Sequence, residues 1–241
     1  MPTTVPSVVL VHGGFTDTSS WIGVVAELQR HRIPVLAAAT PLRGLAYDAA
    51  YLSAFLDRID GPVVLVGHAY GGAVITAAGA AARILGLVYV SSYLPEAGES
   101  YTDLQDRFAP APAVASLQRS PCPRADEGPG AELTIRADAY PEVFAADVAA
   151  DLAQVPGRDP APHRREHPHR HRSGRGLAQQ AHLGADHRRR PGDAPEIQRF
   201  TAHRAGASVQ EAETASHAIT LSQPGLVADV IIRAVRALRP E

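Results

Sequence analysis

The stretch GPVVLVGHAYGGAV, residues 61–74, constrains the fold of this chain more than any other. A strand-length apolar run, Val63 to Val66, breaks at Gly67, and the pair Gly71 and Gly72 opens a run of helical character. That is the frame of a nucleophile elbow, Gly-x-Ser-x-Gly, in which a serine sits on a sharp strand-to-helix turn with its hydroxyl pushed out above a sheet. Here Ala69 holds the serine's place. The sequence therefore predicts the turn and its sheet without the group that usually reacts there.

The rest of the chain supplies the sheet. Residues 5–11, 33–40, 61–68 and 84–92 are apolar runs of buried-strand length, and the run at 5–11 ends in His12-Gly13-Gly14. Between them, Trp21, Val24, Val25 and Leu28 recur at helical spacing behind Asp17, Ser19 and Ser20 as caps, and Tyr51, Leu52, Phe55, Leu56 and Ile59 mark a second helix. Strands apolar on both faces, alternating with helices, predict an α/β fold with a mostly parallel sheet covered on two sides. Pro-rich connections and amphipathic pieces over 95–156 predict a lid-like insertion, helical in character. Residues 207–214 are expected as a strand, 215–219 as a loop and 226–238 as a closing helix.

Composition sets bounds on the function. With 241 residues, 45% hydrophobic and 20% charged, one domain of 1–241 is expected, and a net charge of −2 gives no footprint for nucleic acid. The single cysteine, Cys122, excludes an internal disulfide. No apolar stretch reaches the roughly 18 residues that a membrane span needs, and the N-terminus lacks the order of a signal peptide. A cytoplasmic protein without membrane partners is the expectation. Oligomeric state leaves no mark on the sequence.

Residues 157–193 differ in style from everything around them. They hold six of the 11 histidines and nine arginines, in a chain with no lysine at all, and show no strand-like run. Such composition can bind metal or polyanions, but HRREHPHRH is not His-Glu-x-x-His and has no helical periodicity. No metal and no cofactor are expected from it.

Taken together, VVLVHGGFTDTSSW, PLRGL, GPVVLVGHAYGGAVI, LVYVSSYLPEAGES, PEIQRFTAHRAGA and ASHAITLSQP resemble the small α/β-hydrolases, esterase-like proteins related to the plant hydroxynitrile lyase and methylesterase group. The resemblance covers nearly the whole chain outside 157–193. It implies an α/β-hydrolase fold with a small lid, acting on carboxylic esters. By resemblance, the oxyanion donors are the backbone N–H groups of Tyr70 and of Phe15 or its neighbour, and His217 is the catalytic base. His12 and His68 flank the two glycine turns and shape the pocket. With the reading frame corrected across 157–193, the acid would fall where Arg190 and Pro191 now stand. As written, Asp193 is the nearest carboxylate before PEIQRF, with Asp186 next.

Alanine has no group to attack a carbonyl, and in a related triad loss of the serine costs about a millionfold in turnover. The expectation is an ester hydrolase that is hydrolytically silent as written, through engineering or natural loss. Two alternatives stand beside it: a non-catalytic protein binding a small ester or apolar ligand, and a serine-free lyase, cyclase or isomerase using His217 as general base.

In this family the interval 157–193 carries a core strand and the acid. Back-translating Leu177 to Arg190 with synonymous codons and dropping one base yields an apolar strand ending in aspartate. Two compensating one-base shifts therefore account for the segment's position, composition and length; a true insert is the other reading. Resequencing the gene tests this. The shift reading expects an altered frame across the interval, and an uninterrupted frame shared with close relatives removes it.

Overall fold

The structure, a computed structural model, describes residues 5–96, 98–108, 111–124, 128–149, 159–160, 177–181 and 195–238. Its centre is a sheet in the order β2-β1-β3-β4-β8-β9, formed by β1 Ser7–Val11, β2 Val35–Ala38, β3 Val63–His68, β4 Ile84–Val90, β8 Leu177–Ala181 and β9 Ser208–Gln210. Every pairing in this sheet is parallel. Because β2 lies on one side of β1 and β3 on the other, the strand order reverses at β1. In open α/β sheets the crevice at such a reversal, outside the carboxyl ends, is where ligands bind.

Side chains alternate across a strand, and β1 shows the consequence. Val8 and Leu10 join Val64, Val66, Val88 and Val90 on one face, packed by Trp21 and by α1 (Ile22–Arg30) and α8 (Pro224–Ala237) through Leu28, Ile231 and Val235. Val9 and Val11 join Val63, Leu65 and Tyr89 on the other, under α2 (Leu45–Leu56) and α3 (Tyr70–Ala78) through Leu52, Leu56 and Ile75. Both faces are apolar because both are covered. The helix expected from Ser19 begins as a 3-10 turn, Thr18–Trp21, capped by the Asp17 carboxylate, which accepts the Ser19 N–H at 2.7 Å; α1 follows from Ile22 with no side-chain cap of its own.

Beyond β4 lie α4 (Tyr101–Gln105), a 3-10 turn at Pro112–Ser116, an antiparallel hairpin of β5 (Leu117–Arg124) and β6 (Gly128–Ile135), and α5 (Tyr140–Val143). A two-residue strand β7, Asp159–Pro160, pairs with β6. The hairpin is an addition to the helical pieces expected over 95–156. Ser100 and Asp103 form a reciprocal capping box that starts α4. The C-terminal third adds α6 (Pro195–Arg204) and α7 (Ile219–Ser222) before α8. The strand expected over 207–214 spans only Ser208–Gln210.

One expectation is corrected. The interval 157–193, read as free of strands, contributes β7 and β8, and β8 pairs with β4 from Gly86↔Leu177 to Val90↔Ala181 and with β9 from Gln179↔Ser208. The sequence LAQQA carries neither alternation nor β-branched residues, but a slot between two strands pairs backbone groups on both sides, and that context outweighs local preference. The strand slot that the altered reading frame was invoked to fill is thus occupied by residues as written. The candidate acids Asp193 and Asp186 lie outside the described residues.

Gly71 fixes the seat of α3 on the sheet. A Cβ there would lie 2.4 Å from the Val11 carbonyl oxygen, a backbone atom that cannot swing away, whereas a Cβ on Gly225 of α8 would meet nothing. Gly71→Ala is therefore expected to destabilise the protein by about 2 kcal/mol or more, and Gly225→Ala to leave it unchanged or stabilise it by up to about 1 kcal/mol. Urea-unfolding midpoints of the two variants check both signs.

Candidate active site

Strain marks the carboxyl edge of the sheet. Four non-glycine residues there hold positive φ, one shortly beyond each of the first four strands: Phe15 at 59°, Leu42 at 55°, Ala69 at 48° and Ser91 at 44°. Each such conformation costs about 1–3 kcal/mol and persists only where the surroundings over-determine it. Such residues cluster at ligand sites, and this is the edge at which the strand order reverses.

Ala69 caps α3 with φ 48° and ψ −120°, the sharp strand-to-helix turn that the glycine spacing predicts. The His12-Gly13-Gly14 loop after β1 lies directly against it: a Cβ built on Gly13 would stand 2.8 Å from the Ala69 Cβ. Side chain and loop can meet so closely only because residue 13 has none. Phe15, Ala69, Tyr70 and His217 are each half-buried, while their neighbours Gly14, Thr16, His68, Gly71, Ser216 and Ala218 are buried. All four expected positions that fall within the described residues therefore reach the surface from a closed surround.

The loop holding Phe15 is tied down from within. His12 Nδ1 lies 2.8 Å from the Gly13 carbonyl, which also accepts the Thr16 hydroxyl at 3.2 Å, while His12 Nε2 accepts the Thr40 N–H at 3.0 Å. A carbonyl accepts and an N–H donates, so His12 is the neutral ring with its proton on Nδ1. Burial lowers its pKa, opposed by the carbonyl of Gly13 and the charges of Asp17 and Asp48. Tyr140 of α5 donates its hydroxyl to the Phe15 carbonyl at 3.2 Å.

His217 reaches the elbow by way of His68. The two rings lie 5.1 Å apart, and His68 Nε2 donates to the His217 carbonyl at 2.8 Å. That bond places the His68 proton on Nε2 and leaves Nδ1, buried and without a hydrogen-bond partner, near Gly13. Burial, then the neighbouring His217, push the His68 pKa down to about 3. His68 is thus a neutral strut joining the elbow to the histidine loop. On its other side the His217 ring meets Phe144 edge-on at 4.9 Å, and Phe144 meets Phe15 at 6.2 Å.

Several residues of the site escaped the sequence reading. Asp48, wholly buried in the first turn of α2, accepts the Tyr70 hydroxyl at 2.7 Å and the Arg43 N–H at 3.0 Å. Ser216 donates to the Asp147 carboxylate, which puts a carboxylate from the segment after α5 on the histidine's own loop. Ser92 and Tyr101 bond the Ala69 carbonyl. Asp48, Asp147 and Ser92 sit at unremarkable points of their segments, and only the β4 edge position of Ser92, next to the elbow strand, offered a signal. Among the described residues, no group of three His, Cys, Asp or Glu side chains is arranged to hold a metal, and the histidine-rich tract lies outside them. No helix among the described residues is long and apolar enough to cross a membrane.

A model of the α/β hydrolase family matches residues 8–230, and the chain belongs to that family. No curated protein matches the sequence. Similar solved structures include polyneuridine aldehyde esterase, at 20% identity and a TM-score of 0.78 over 95% of this chain and 99% of that one. Tomato methylketone synthase I complexed with 2-tridecanone gives 17% identity and a TM-score of 0.78, covering 98% and 100% of the two chains. A pyrethroid hydrolase from Sphingobium faniae JZ-2 gives 22% identity and a TM-score of 0.74, covering 97% and 98%. At these identities the likeness establishes the fold.

The neutral histidines make stability pH-dependent. With its folded pKa below the unfolded value near 6.5, His68 binds its proton more readily in the unfolded chain, so stability falls as pH drops from about 6.5 toward 3. His12 adds to the same slope at its upper end. Urea unfolding at pH 6 and 5 should show a loss shallower in His68→Asn than in the parent, by up to about 1.4 kcal/mol per pH unit. Equal slopes would remove His68 from the account.

Proposed function

We propose that this chain is a hydrolase-fold protein of carboxylic-ester hydrolase type whose site binds a small ester or apolar ligand but does not hydrolyse it, because Ala69 stands where the serine belongs. The observation that carries the reading is the backbone of Ala69. It holds the strained φ of 48° and ψ of −120° against Gly13, with the His217 loop one residue away through His68. Polyneuridine aldehyde esterase and the pyrethroid hydrolase share the fold and support an ester as ligand.

With a serine at 69, the chemistry follows from the parts. Its hydroxyl, aimed out of the turn, would attack the ester carbonyl while His217 takes the proton, and the carbonyl oxygen would gain its negative charge facing the N–H groups of Phe15 and Tyr70. His217 then returns the proton to the leaving alcohol, and water releases the acid by the same route. Asp193 is the proposed orienting carboxylate. Asp147, bonded to Ser216, is the carboxylate that the structure brings to the histidine loop. The reading needs no metal, cofactor, nucleic acid or membrane, and a cytoplasmic location is proposed with it, in keeping with one cysteine in 241 residues.

A second reading is favoured by one observation. A histidine-to-alanine variant of tomato methylketone synthase I is seen with β-ketoheptanoate, and the protein itself with 2-tridecanone. Loss of CO2 from a β-keto acid requires no nucleophile. It leaves an enolate oxygen, which amide donors stabilise, and a carbanion carbon, which an imidazolium protonates.

The serine variant separates the two. Ala69→Ser should raise hydrolysis of p-nitrophenyl acetate by about 10⁴-fold or more over the parent, and His217→Ala in that background should remove the gain. A silent Ala69→Ser protein, together with CO2 release from β-keto acids by the parent that His217→Ala abolishes, would replace the first reading by the second.

A further inference from the structure

The carbonyl of Ala69 is held by an unusual number of donors. It accepts the Gly72 N–H at 2.9 Å and the Ser92 hydroxyl at 2.7 Å, and the Tyr101 hydroxyl stands 3.2 Å away. Ser92 and Tyr101 are also 2.8 Å from one another. Each hydroxyl has one proton, and the two shortest contacts use both: Tyr101 donates to Ser92, and Ser92 donates to Ala69. Such a chain polarises each bond in turn. Burial holds the Tyr101 phenol above its ordinary range, so it keeps the proton it donates.

Tyr101 is the first residue of α4, in the lid-like segment, and Ser92 lies just beyond β4. The fold makes room for their meeting. A Cβ on Gly72 would stand 1.9 Å from Ser92 Oγ, so the second glycine of the elbow pair leaves the space that the hydroxyl fills. The helix is fastened in place independently. Leu104 of α4 is wholly buried against Ile197 of α6, and the Arg204 guanidinium of α6 grips the Glu99 carboxylate at 3.0 and 2.5 Å.

A trans peptide is planar, and its C=O and N–H point in opposite directions. Donors that pin the Ala69 oxygen on the inner side of the elbow therefore set the direction of the Tyr70 N–H on the outer side. We propose that Tyr101, acting through Ser92, is a positioning residue that aims the Tyr70 N–H as an anion donor, so that docking of α4 sets the oxyanion site. The proposal rests on the reading of that N–H as an oxyanion donor. It gives the lid-like segment a role in the electrostatics of the site as well as in covering it.

The test has two arms. In the chain as it stands, Tyr101→Phe keeps the ring and removes one hydroxyl, and the amide resonance of Tyr70 should shift and exchange its proton faster while amides of β1 stay in place. Ser92→Ala, which removes the direct donor, should move the same resonance further. A Tyr70 amide unmoved by both variants overturns the proposal. In the Ala69→Ser background, Tyr101→Phe should lower kcat about 10-fold with KM within twofold, because the lost interaction belongs to the transition state. An active Ala69→Ser enzyme whose kcat ignores Tyr101→Phe also overturns it. If Ala69→Ser shows no hydrolysis while the Tyr70 amide moves as expected, the ester-hydrolase reading fails and the positioning by Tyr101 stands.

Discussion

The close backbone approach at the elbow is the constraint on which the rest of the site depends. A strand, a turn and a helix occupy a space that leaves no room for a Cβ at residue 71, where the Val11 carbonyl oxygen would be 2.4 Å away, or at residue 13, where the Ala69 side chain stands. Glycine at both positions lets α3 sit on the carboxyl end of β1 and lets the loop after β1 fold over the turn after β3. Packing of Ile75 and Val74 against the sheet then holds Ala69 in a conformation an alanine does not choose for itself. The strain belongs to the scaffold and requires no reactive side chain to maintain it.

That separation explains why the geometry was legible in the sequence while the chemistry was not. Val63 to Val66, Gly67 and the pair Gly71 and Gly72 announced a buried strand and a sharp turn, because apolar runs and missing side chains are written in residue identity. The loop of His12, Gly13 and Gly14 was legible for the same reason. Alternation of Val8 and Leu10 with Val9 and Val11 between two covered faces follows directly from an unbroken apolar run. The strand β8 was not legible, since LAQQA is specified by the backbone groups of β4 and β9 on either side and by nothing in its own pattern. The bonds from Asp48 to Tyr70 and from Tyr101 to Ser92 were hidden too, because each joins segments whose proximity only the fold creates. Asp48 carries no motif, and the sequence gives no sign that α3 packs across it.

The histidines show how one residue type serves opposite purposes within a few ångströms. His12 and His68 are buried, neutral and committed: each offers a proton to a backbone carbonyl, and in His12 the other nitrogen accepts a backbone N–H. Their value is that they join loops, one across the HGG turn to the end of β2, the other from the elbow to the loop of His217. His217 is half-buried with its ring against Phe144. A base that must gain and lose a proton needs that partial access, and the two struts leave it as the histidine at the elbow that reaches solvent. Depressed pKa values thus point here to scaffolding, and the candidate base is recognised by position and exposure.

What the elbow keeps without its nucleophile defines what it can still do. The peptide directions in the turn are set by the Gly72 N–H and the Ser92 hydroxyl on one side of Ala69 and by the loop of Gly13 on the other, and none of these contacts requires a hydroxyl at 69. Stabilisation of a developing negative charge by oriented backbone donors is independent of how that charge arises, whether by attack on a carbonyl or by cleavage of a bond beside one. On the proposed reading, a base and fixed donors without a side-chain nucleophile suit reactions in which the substrate supplies its own electron pair. On the proposed reading, alanine at 69 favours proton transfer and bond cleavage next to a carbonyl over acyl transfer, while the turn around it keeps the form that would receive a serine.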